Sequence, residues 1–312
     1  MGLDFAGRID TMGTWGKAAQ ALAALAVLAL AGPASAATAA ADLYYERALM
    51  AAADGACRLF APPVSSALAA AKAQARSAAL RSGMDNAGLR DIESRADAAA
   101  AAAGCASPDI AIAAQRVRQA FDGYAHLDHM VYPGENADWL AARPPEDGAS
   151  HWRLSQRDRF GWDVMLFGVV GHGDGRPLMA VASFADDATP YGARLVLRDT
   201  TITDGPYLQV NQADVAGRIP MDGRLPPRAA TRVFNAEAMS PAGRDLRSAD
   251  MADGWAFRFP PEAEAALAGL DPRETVAVEF LFTGADGDAE RTAYVEVGDF
   301  AAGQAFEELV QR

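Results

Sequence analysis

Alanine is spread so unevenly along this chain that it divides the sequence before any motif is considered. Of 73 alanines, 43 fall in the first 125 residues and 30 in the remaining 187. Alanine is the best helix former but buries little apolar area. The first stretch therefore predicts closely packed helices with a thin core, and the rest must build its core from other side chains. Beyond about residue 150, runs of aromatic and β-branched residues alternate with Gly, Pro and Asp turns, the pattern of antiparallel strands. The expected fold is α+β: an N-terminal antiparallel helical bundle, then an antiparallel β-sandwich or curled sheet with a C-terminal helix.

Residues 18–31 (AAQALAALAVLALA) are apolar apart from Gln20, follow Lys17, and lead through Pro33 to Ala34, Ser35 and Ala36. The run is shorter than the ~20 residues a membrane-spanning helix needs. Small residues at 34 and 36 suit a signal peptidase, so residues 1–36 read as a signal peptide cut after Ala36. Asp4 and Asp10 against Arg8 make a poor leader, and a start at Met12 fits better. The expected product is soluble and periplasmic or secreted, with no membrane span after cleavage.

Four helices are expected in residues 37–131. The first runs from Leu43 to Phe60 and stops at Pro62-Pro63; the second runs from Val64 to Arg81 and ends at Ser82-Gly83. Asp85 or Asn86 can cap a third that ends at Ala103, before Gly104. Ser107-Pro108-Asp109 starts the fourth: a capping serine, proline at the first helical position and an acid in the first turn. Cys57 and Cys105, the two cysteines, stand at the C-terminal ends of the first and third helices. An up-down-up arrangement brings those ends together, and an exported chain would bridge them.

Residues 132–150 are rich in turn formers and charges and read as a linker to a β domain over 151–312. Strands are expected at 151–157, 161–170, 176–184, 193–199, 230–236, 254–259, 274–282 and 291–298. The second and third of these are apolar on both faces and should be central. Val276, Val278, Phe280 and Phe282 alternate, as do Trp255, Phe257 and Phe259. Short helices are expected from Glu262 to Leu270 and from Asp299 to Val310.

A net charge of -13, with 26 Arg and 2 Lys against 41 acids, argues against nucleic-acid binding, which needs a basic surface. The sequence contains no HExxH, GxSxG, GxxxxGK[ST], CxxC or SxxK, so no catalytic residue and no cofactor is implied. Lys72 is the one lysine after the signal segment and is expected on a solvated helix face. His126 and His129 form an HxxH pair that could begin a metal site, with His151 or His172 to complete it. Their position off the apolar stripe favours plain exposure instead. Asp286, Asp288 and Glu290 in GADGDAER offer calcium-type ligands, but a hairpin turn is the simpler reading. Trp139, Trp152 and Trp162 surround the linker and could line a ligand groove at the junction of the halves, or simply pack it.

Residues 259–280 (FPPEAEAALAGLDPRETVAVEF) and 294–306 (YVEVGDFAAGQAF) resemble the invasion-associated locus B family of exported bacterial β-sandwich proteins. The likeness spans about residues 190–310. It implies an envelope location and transfers no functional residue.

Three functions compete on these grounds. A non-catalytic binding or structural module for an envelope protein or envelope component leads. A hydrolase or metal-assisted enzyme with a non-local His/Asp site is the second, and a small-ligand carrier using the tryptophan junction is the third.

Overall fold

Proline and glycine divide the alanine-rich stretch where the sequence places them. In the computed structural model, which describes residues 33–143, 151–171, 176–212, 218–284 and 287–307, α1 spans Pro33–Cys57 and α2 spans Pro62–Arg81. The α3 helix runs Asn86–Ala103 and α4 runs Pro108–Ala120. The first helix starts earlier than expected, because Ala34–Ala41 is strong helix-forming sequence. Its first turn contains Ala34 and Ala36, the residues expected to flank a signal cleavage; the apolar run before them lies outside the described residues. Asp85 caps α3 by accepting from the Gly88 amide at 2.7 Å. Ser107 stands at the N-cap of α4 but makes no side-chain capping bond, so Pro108 and Asp109 carry that start signal.

The α1 helix packs against both α2 and α3, and α4 touches it more lightly. Cys57 and Cys105 are joined in a disulfide with their Cα atoms 5.5 Å apart, as the arrangement of helix ends requires.

Two antiparallel sheets follow. The larger is ordered β1-β2-β3-β4-β5-β9-β8, with β1 His129–Tyr132, β2 Trp139–Ala142, β3 Trp152–Phe160, β4 Asp163–Val170, β5 Leu178–Ser183, β8 Ala238–Pro241 and β9 Trp255–Arg258. The smaller is ordered β11-β10-β6-β7, with β6 Gly192–Arg198, β7 Thr231–Asn235, β10 Thr275–Gly284 and β11 Gly287–Glu296. The doubly apolar runs, β4 and β5, are central as expected. Phe257 of the larger sheet and Phe280 of the smaller meet at 5.3 Å between ring centroids, so the sheets face one another across one core.

The stretch read as a linker is a finding against the sequence reading. Residues 129–142 form the β1–β2 hairpin on the edge of the larger sheet, and residues 144–150 lie outside the described residues. Its turn formers build the hairpin turn. Glu296, from the end of β11, accepts the backbone amides of Glu135, Asn136 and Ala137 at 2.9, 2.7 and 3.2 Å. Gly134 is required there, since a Cβ would run into the Ala137 carbonyl and the Glu296 carboxylate.

Two short helices complete the chain, α5 Pro261–Ala268 and α6 Phe300–Glu307. The second lies between α2 on one side and β2 and β3 on the other. Ala67 and Ala70 of α2 join the sandwich residues in one hydrophobic cluster, so the two halves share an interior. Among the described residues, no helix is long and apolar enough to cross a membrane.

Candidate functional site: a groove on the helical half

The alanines that make these helices also leave space between them. A groove of about 510 Å³ runs between α1 and α2 and is flanked by α3. It is lined by Ala51 and Gly55 of α1 and by Ala69, Ala73 and the buried Leu68 of α2. Methyl groups let helix backbones approach but do not fill the valley above them. Gly55 is notable because glycine in a helix costs about 1 kcal/mol against alanine. A Cβ built on it would meet nothing within 4 Å, so the position faces open space.

Four charged groups, Asp54, Lys72, Arg76 and Glu93, line the groove together with the neutral Tyr44. Tyr44 is 0% exposed, and its hydroxyl donates to Glu93 Oε1 at 2.5 Å. Lys72 Nζ lies 3.3 Å from the same oxygen. Arg76 makes one long bond to Asn86 Oδ1 at 3.5 Å. Burial first, then the Glu93 carboxylate, raises the Tyr44 hydroxyl far above the usual tyrosine range, so it remains a proton donor. Partial burial works to raise Glu93, but the Tyr44 hydroxyl, Lys72 and Arg76 outweigh it and hold the carboxyl below its ordinary value. At the other end, Asp54 accepts from the Phe60 amide at 2.9 Å and from Ser65 Oγ at 2.7 Å, fixing the α1–α2 connection.

Tyr44 keeps its proton and Glu93 is stabilised as an anion, so neither is poised for proton transfer near neutral pH. The groove thus carries charges held by neighbouring side chains beside small apolar residues. A second, smaller groove of about 380 Å³ lies between α1 and α4, where Arg47 stacks 5.3 Å from the centroid of Phe121.

The residues singled out by sequence fall elsewhere. Trp139 is fully buried, donates to the Glu296 and Val297 carbonyls at 3.0 Å each, and packs against Phe300. Trp152 lies on the outer face of the larger sheet and donates to the Leu246 carbonyl at 2.9 Å. Trp162 is 91% exposed at the β3–β4 turn. The three therefore do not form one junction groove. His126 ends a 3-10 turn and His129 opens β1, so the pair does not share a helical turn, and both are exposed. His151 precedes β3, and His172 lies outside the described residues. Among the described residues, no group of three or more His, Cys, Asp or Glu could hold a metal ion. Asp288 and Glu290 lie on β11, with Glu290 2.7 Å from Arg194; Asp286 is outside the described residues.

Lys72, expected on a solvated face, is partly exposed in the groove wall, where it pairs with Glu93. Tyr44, Arg76 and Glu93 were not anticipated. The available signal was Tyr44-Tyr45, an aromatic pair inside an alanine run that offers few other large side chains to bury.

Comparison with protein-family models, with curated proteins and with solved structures gives no match for this chain.

Proposed function

We propose that this protein is an exported, non-catalytic binding module of the cell envelope, and that the α1–α2–α3 groove is where it binds. The observation that carries this reading is the groove itself: an open valley lined by small residues, with charges fixed by neighbouring side chains. Three features support export. They are the apolar run at 18–31, the Cys57–Cys105 bridge, which suits an oxidising compartment, and the likeness of residues 190–310 to invasion-associated locus B proteins. The partner is an envelope protein or envelope component.

Cell fractionation combined with thiol labelling tests the location. The expected result is protein in the periplasm or medium with both cysteines blocked; cytoplasmic protein with free thiols would overturn export. The binding role is tested by incubating the purified protein with an envelope extract and following its melting temperature. A ligand held by the native state raises that temperature with the logarithm of its concentration. Gly55→Leu, which fills the groove, should abolish the rise. A rise that persists in this variant places binding elsewhere.

A further inference from the structure

The charges in the groove are not merely mixed but sorted along its length. Asp54 and Ser65 mark one end and are hydrogen-bonded to each other. Lys72 and Arg76 follow on α2, seven and eleven residues beyond Ser65, so that at 1.5 Å per residue their backbone positions lie about 10 and 16 Å further along the helix axis. Glu93 is shared by Lys72 and Tyr44 and offsets one of the two cations. The Lys72–Arg76 end therefore keeps a net positive charge. At the opposite end, Asp54 receives an amide and a hydroxyl, both neutral donors, and keeps its negative charge. Between the ends the groove is lined by Ala51 of α1 and by Leu68, Ala69 and Ala73 of α2.

A complementary ligand carries an anion and a cation about 10 to 16 Å apart, joined by a narrow chain. We infer that the groove binds a short linear peptide with free ends, its carboxylate over Lys72 and Arg76 and its ammonium beside Asp54. A tetrapeptide in extended form spans about 13 to 14 Å, which matches that separation. Small residues on both walls leave room for the peptide's own side chains, and Gly55 holds open the space beside the Asp54 end. The inference rests on the proposal that this groove is the binding site.

The test is a titration of the isotope-labelled mature protein with a mixed tetrapeptide pool, read from the amide resonances of Ala69 and Ala73. Parallel titrations use the same pool acetylated at its amino ends or amidated at its carboxyl ends. The free pool should shift both resonances, and either block should weaken binding about tenfold. Lys72→Met keeps the apolar stem and removes the charge. In that variant the free pool should bind about tenfold more weakly, and amidation should then make little further difference. Equal binding of free and blocked pools overturns the inference. So does the absence of any shift with peptides when an envelope extract does shift Ala69 and Ala73, and in that case the binding reading stands. If neither peptides nor extract shift them, both fall.

Discussion

Tyr44 and Phe280 are both fully buried, but they lie in interiors of different kinds. Phe280 touches the rings of Phe160, Phe184 and Phe257 at centroid distances of 5.7, 5.3 and 5.3 Å, inside a cluster that reaches both sheets and α6. Tyr44 lies among Ala75, Ala79, Leu80, Leu89 and Ile92, in one of several small clusters that divide the helical half. Its hydroxyl donates to Glu93 in the groove wall. Large rings fill the volume between two sheets, and methyl groups do not fill the volume between helices. The contrast explains where open space exists in this molecule.

Shrinking a core ring breaks the comparison most sharply. Phe280→Ala should destabilise the protein by about 3 to 5 kcal/mol, seen as a shift of the urea midpoint, because the surrounding rings cannot collapse into the space. Removing the bridge should cost nearly as much by a different route. Cys57→Ser with Cys105→Ser reopens a loop of 48 residues' separation, worth about 4 kcal/mol in the chain-entropy account. The loss should appear first in the helical half, as faster amide exchange at Ala53 and Ala100 than at Val278.

A third test turns on pH. Glu307, 1% exposed at the end of α6, has its carboxyl pushed up from 4.5 to about 7 by burial, against the opposing pull of Arg176 and Arg153. Below about pH 4.5 the carboxyl is protonated in both folded and unfolded chains. Between about 4.5 and 7 the folded protein keeps a proton that the unfolded chain has released. Stability contributed by that proton is therefore present at low pH, lost as pH rises through this window, and gone above it. The whole effect is about 3 kcal/mol. Glu307→Gln should flatten the fall when urea midpoints are compared between pH 4.5 and 8. The smallest expected effect is helical: Asp85→Ala, which removes the α3 cap, should cost about 1 kcal/mol in the urea midpoint and leave the β half unchanged.

Much of the architecture is legible in residue order because it depends on local signals. Pro62-Pro63, Gly104 and Ser107-Pro108 end and begin helices through backbone geometry alone. Val276, Val278, Phe280 and Phe282 announce a strand by period, and all four are buried. Other elements carry no such signal. The β1 and β2 strands are four residues each, too short for alternation to register, and their turn is held by Glu296 from some 160 residues away. Every residue of β8 is exposed, so burial leaves no pattern in it. The groove was hidden for a related reason. A groove consists of absent side chains, and an alanine lining a valley reads the same as one packed at a helix contact. The tryptophans misled in the opposite sense, since large aromatic groups near one another in sequence went to a core, an outer sheet face and a turn.

Consider, finally, the position of α6. It follows every other described element in the chain, yet it lies between α2 and the strands β2 and β3. Phe300 completes the pocket around Trp139, and Phe306 meets the ring of Tyr124 at 5.4 Å. The cluster that the sheets share with Ala67 and Ala70 of α2 is complete only with these residues. A single short helix at the end of the described chain thus closes the seam between α2 and the larger sheet.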